Sequence, residues 1–136
     1  MNNHQLSFAK INFISNDIAE VIVDNNIEVT IEMVEEFDAF LSVCDHANIG
    51  LLINRIHTYS YTFEAKLCLY SHHKMKAIAL VYYSPQCRQS TLDIVNLRFM
   101  DPLNIKMFSG LDLGWQQAQE WLEQELHLLS DLSKPK

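Results

Sequence analysis

Apolar and polar positions alternate where the chain begins to show a pattern. Along Phe8–Ile14, Ala9, Ile11 and Phe13 fall on one face and Lys10 and Asn12 on the other. After the turn-forming Ser15-Asn16-Asp17, Ala19, Val21 and Val23 alternate against Glu20 and Asp24. A period of two with one apolar face predicts two half-buried strands in an antiparallel hairpin. Asp24-Asn25-Asn26 breaks the pattern, and Ile27-Glu28-Val29 is short and extended.

The period then lengthens. Thr30 is placed to cap a helix, with Glu32 in the first turn where the helix dipole favours an anion. Ile31, Val34, Phe37, Leu41 and Cys44 recur at helical spacing, and Glu32, Glu35, Glu36 and Asp38 lie mostly elsewhere around the wheel. Leu51–Ile56 is a short, largely apolar run, as in a strand covered on both faces. Ser60 or Thr62 opens a second helix, expected to reach about His72. Ala77–Tyr83 is the next buried strand, stopped by Ser84-Pro85. A third helix to about Met100 puts Leu92, Val95 and Phe99 on one face, and Asp101-Pro102 ends it. Ile105–Phe108 reads as a last short strand. Asp112 is placed to cap a final helix carrying Ala118, Trp121, Leu122 and Leu129 inward.

A hairpin followed by alternating strands and helices predicts an α/β domain with a single mixed sheet. Four to five strands are expected, the first two antiparallel and the later ones parallel, with about four helices. There is no internal repeat or linker, so residues 1–136 read as one domain, with 1–6 and 132–136 frayed. A length of 136 residues suits one core without staples.

Charge sharpens this picture. From Ile11 to Gly50 every charged residue is an acid: Asp17, Glu20, Asp24, Glu28, Glu32, Glu35, Glu36, Asp38 and Asp45. From Leu51 to Met107 the bases Arg55, Lys66, Lys74, Lys76, Arg88, Arg98 and Lys106 outnumber Glu64, Asp93 and Asp101. The net charge of −7 argues against nucleic acid as a partner. It leaves Glu32, Glu35 and Glu36 as an acidic face able to orient a protein partner. No apolar run approaches the roughly 20 residues that span a bilayer, and the first residues lack the features of a secretory signal. Cys44, Cys68 and Cys87 are an odd, widely spaced set that reads as free thiols, so a cytoplasmic setting is expected.

Catalytic and cofactor chemistry finds little support. Gly50, Gly110 and Gly114 cannot make a glycine-rich phosphate loop. Cys68 with His72-His73, and Cys44-Asp45-His46, lack the paired spacing of a zinc site. No nucleophile, base and orienting group can be singled out, so neither enzyme activity nor a cofactor is expected. Open α/β sheets bind ligands at the carboxyl ends of parallel strands. His57, Tyr59, Ser60, Tyr61 and Thr62 leave such a strand end and form the expected partner-facing or regulatory edge.

Several stretches resemble small stand-alone bacterial STAS-like proteins, named for sulfate transporters and anti-sigma-factor antagonists. They are the hairpin, Asn26–Val34, Leu51 through Thr62-Phe-Glu-Ala65, Lys76–Val81, Asn96, Met107-Phe108 and Ala118–Leu122. The resemblance implies helices mainly on one side of the sheet and regulation through protein–protein binding. In the antagonists a phosphorylatable Ser follows the central strand in a loop rich in Asp and Gly. Here His57–Thr62 carries Ser60 without that Asp or those glycines. The expectation is a non-catalytic regulatory or adaptor domain, with a homodimer as an added expectation. The alternative is a carrier holding a small apolar or lipid-like ligand between helices and sheet.

Overall fold

The computed structural model describes residues 3–133. Its elements are β1 (Asn3–Gln5), β2 (Ala9–Phe13), β3 (Ile18–Val23), β4 (Glu28–Val29), α1 (Ile31–Ser42), β5 (Ile49–Asn54), β6 (Ser60–Tyr61), α2 (Phe63–Cys68), β7 (Met75–Tyr82), α3 (Pro85–Leu97), β8 (Ile105–Ser109) and α4 (Gly114–Ser133). Six strands form a mixed sheet in the order β1-β2-β3-β5-β7-β8. The first three pair antiparallel, and β3, β5, β7 and β8 run parallel. The α/β class, the hairpin and the parallel half are as the periodicity predicts. The sixth strand is β1, which pairs Asn3–Gln5 with Lys10–Asn12 where fraying was expected. All three β1 residues are exposed, so no apolar alternation marks the strand. At the other end α4 continues through Ser133, and residues 134–136 lie outside the described part.

The pleat of the central strands divides the core in two. Leu51 and Ile53 of β5 and Ile78 and Leu80 of β7 join Val34, Leu41, Ala65 and Ile94 under α1, α2 and α3. Leu52 of β5 and Ala77, Ala79 and Val81 of β7 point the other way, toward Ala118, Leu122 and Leu126 of α4. Three helices thus share one face and α4 covers the opposite one. Small residues let α4 sit close: a methyl group at Gly50 would come within 3.2 Å of both Leu122 and Leu126.

Three helix expectations need correction. The second helix stops at Cys68, four residues short of His72, because Tyr70 takes a left-handed backbone (φ 63°) and buries its ring. The third stops at Leu97 and buries Thr91, Ile94 and then Arg98, three and seven positions along one face. Leu92 and Val95 are only half-buried, and Phe99 is exposed. In α4 the inward stripe is Ala118, Leu122 and Leu126, which leaves Trp121 half-buried beside Phe108, its ring centroid 6.1 Å away.

Candidate binding edge at the carboxyl ends of the parallel strands

The segment after β5 is fixed from inside. Ser60-Tyr61 of β6 pairs in parallel with Glu28-Val29 of β4, through Ser60 N–H to Ile27 O and Thr62 N–H to Val29 O. Asn26, left-handed at φ 61°, donates its N–H to Thr58 O at 2.7 Å, and Asn25 Oδ1 accepts from Thr58 N–H at 3.0 Å. The Asp24-Asn25-Asn26 break is therefore the clamp that holds this segment. His57 Nδ1 lies 2.9 Å from Val23 O. A carbonyl can only accept, so Nδ1 carries the proton and Nε2 is left for another partner.

Exposure alternates along the segment. His57, Thr58 and Ser60 are exposed, Tyr59 and Tyr61 are buried, and Thr62 is half-buried. The expected edge of five residues thus splits. His57 and Ser60 face solvent, whereas Tyr59 and Tyr61 are buried anchors, with Tyr59 also lining an open cleft. Their rings meet edge to face at 5.6 Å, with the guanidinium of Arg55 4.4 Å from the Tyr59 centroid and 5.8 Å from that of Tyr61. The helix cap is Thr62, whose Oγ1 accepts Ala65 N–H at 3.2 Å. Ser60 is a strand residue.

Arg55 was not singled out by its sequence, although a base inside the run Leu51–Ile56 was the available sign. Only 5% of it is exposed. Its terminal nitrogens donate to backbone carbonyls, at 3.0 Å to Tyr59 O and at 3.5 Å to Cys87 O, and Nε has no partner. Burial raises the Cys87 thiol, against the pull of Arg55. Burial likewise holds the Tyr59 and Tyr70 phenols well above their ordinary range, with Tyr61 adding to the shift and Arg55 opposing it. These neighbours are therefore neutral near pH 7, and none supplies the negative charge that a buried guanidinium ordinarily meets.

Above Arg55 lies an open cleft of about 490 Å³ between the β5–β6 segment and the start of α3. Ile56, His57, Thr58, Tyr59, Tyr83, Ser84, Gln86, Cys87 and Ser90 line it, and among the described residues no Asp or Glu does. Tyr83 is held at its rim by a hydrogen bond of 2.7 Å to Asn54 Oδ1. Asn54 in turn donates to Glu20 Oε2, which also accepts from Trp115 Nε1 at 2.8 Å. Gly110 is required here, because a methyl group on it would come within 2.2 Å of the Tyr83 ring.

On the inner side a second space, lined by Phe8, Val21, Val34, Ile53, Tyr59 and Tyr70 among others, holds about 40 Å³. That is room for a few waters at roughly 10–15 Å³ each. A drug-sized ligand asks for roughly 300 Å³ or more. The space gives the carrier alternative no support.

The acidic face is also uneven. Glu32 and Glu35 are exposed, but Glu36 is engaged, with its carboxylate accepting from both the N–H and the hydroxyl of Ser7. Among the described residues no three His, Cys, Asp or Glu side chains gather to hold a metal. Among them, too, no helix is long and apolar enough to cross a membrane. Set against known proteins, the chain matches no family model, no curated protein and no solved structure.

Proposed function

We propose that this chain is a non-catalytic regulatory or adaptor domain of STAS-like type that works by binding another protein. One observation carries the reading: the Ile56–Phe63 segment is anchored from within and displays apolar groups at both ends. Ile56 is 50% exposed and Phe63 60%, with exposed His57, Thr58 and Ser60 between them. Tyr59, Tyr61 and the clamp to Asn25 and Asn26 settle the segment's shape beforehand. A surface ordered before binding loses less conformational freedom on association. Exposed apolar side chains beside polar groups suit a protein contact.

The test compares immobilised wild type with an Ile56→Asp, Phe63→Asp double variant in lysate from the native cell. Both side chains are substantially exposed, so circular dichroism and melting temperature should stay close to wild type. Proteins held by wild type should be lost from the double variant, with purified partners weakening at least about tenfold. Equal retention by both would refute this edge as the binding surface.

A further inference from the structure

The cleft above Arg55 has a feature that the partner reading does not use: it gathers positive charge and hydrogen-bond donors, with no acid lining it among the described residues. The 13-residue α3 begins at its wall, and a helix N-terminus carries roughly half a positive charge. The guanidinium of Arg55 reaches Cys87 O in the first turn of that helix. Two positive ends therefore meet at one place, in a protein whose net charge is −7. The ring of Tyr59 and two carbonyls face the guanidinium, but among the described residues no acidic side chain lines the cleft to offset the paired positive ends.

The donors on the wall define what would. Pro85 has no N–H, and Ser84 Oγ accepts the N–H of Cys87 at 3.2 Å, so the first-turn amide that remains is that of Gln86. The Ser84 hydroxyl accepts in that bond and keeps its own hydrogen to donate. Ser90 and Thr58 add hydroxyls, and His57 presents Nε2. Arg55, 5% exposed, is among the residues that line the cleft; its buried Nε has no hydrogen-bond partner and its contact to Cys87 O is long at 3.5 Å. A planar carboxylate has two oxygens to offer, whereas a tetrahedral phosphate has three free oxygens for donors arriving from several directions.

We propose that this cleft binds the phosphate of a small phosphate monoester. The anion sits against the start of α3 within the field of Arg55, and the esterified group lies toward Ile56 and Tyr83 in the rest of the 490 Å³. The site uses a buried guanidinium and one helix start, and it needs no glycine-rich loop. It shares Ile56, His57 and Thr58 with the proposed partner edge, but its test contains no partner protein, so the two readings can fail separately.

The experiment follows backbone amide resonances of the full chain at constant ionic strength, titrated separately with inorganic phosphate, phenyl phosphate and benzoate. Saturable shifts centred on Ile56, His57 and Gln86 are expected, with phenyl phosphate binding more tightly than phosphate and benzoate more weakly than either. Gln86→Glu puts a carboxylate where the anion would sit, and an acid in the first turn favours the helix, so this variant should fold. It should weaken phenyl phosphate at least about tenfold. Gln86→Ala keeps the backbone N–H and should change affinity by less than about threefold. Absence of saturable shifts in wild type, or equal affinity in Gln86→Glu, would overturn the site. Benzoate binding as tightly as phenyl phosphate would overturn the phosphate assignment, and phenyl phosphate no tighter than inorganic phosphate would overturn the monoester.

Discussion

At Ser60 and Thr62 two hydroxyls sit two positions apart, and either can begin a helix. Sequence left both open, since each precedes an apolar residue by the right interval. What separates them is the pairing of β6 with β4, a contact between segments about thirty residues apart. Thr62→Ala removes the bond to Ala65 N–H and should cost about 1 kcal/mol in a denaturant titration. Ser60→Ala should stay within about 0.5 kcal/mol, because that side chain is exposed in a strand. Equal losses would show that both hydroxyls serve the helix.

The cysteines make a second contrast at the same scale. Cys68 is exposed, whereas Cys44 and Cys87 are half-buried, and burial raises both of their thiols above the ordinary value. A raised thiol carries less thiolate at a given pH, and thiolate is the reacting form. In mildly alkaline buffer, iodoacetamide followed by peptide mass spectrometry should find Cys68 modified roughly tenfold faster than Cys87. Comparable rates would mean that the start of α3 opens readily.

Periodicity is a good guide to which elements exist and a poorer one to which face each helix buries. In α4 the expected inward set included Trp121 and Leu129, yet Ala118, Leu122 and Leu126 make the stripe. A shift of one position around the helix is about 100°. The approach of α4 to Gly50 and to the small residues of β7 decides it, and those lie far away in sequence. Likewise Arg98, capping the end of α3, turns inward, where Nε meets Asp101 at 2.7 Å and a terminal nitrogen meets Ser71 Oγ at 2.9 Å. A buried base defeats a pattern built on apolar residues alone. Leu122→Ala should therefore cost about 2–5 kcal/mol, the range for truncating a fully buried leucine. Trp121→Ala should cost about 1–2 kcal/mol, since only part of its ring leaves water. The reverse order in denaturant titrations would place Trp121 back in the core.

For the molecule as a whole, the place of the segment after β5 was legible and the way its side chains face was not. The rule that parallel sheets bind at their carboxyl ends pointed to the segment after β5. It could not say that Tyr59 and Tyr61 turn inward, nor that Arg55 packs against their rings, because the β4–β6 pairing reverses the usual exposure of a loop. That pairing makes a prediction about motion. Amide exchange is slow where hydrogen bonds open only with global unfolding, and fast where a segment opens locally. Strands β5 and β7 sit between the two halves of the core, so Leu51–Ile53 and Ile78–Val81 should exchange most slowly. Strand β1 pairs on one side only, and its residues are exposed, so its amides should exchange fast. The decisive positions are Ser60 and Thr62. Their N–H groups are bonded to Ile27 O and Val29 O, and the tyrosines beside them are buried, so both should be protected well beyond β1. Protection no greater than that of β1 would mean that the segment is mobile, and the argument from a preordered edge would fail with it.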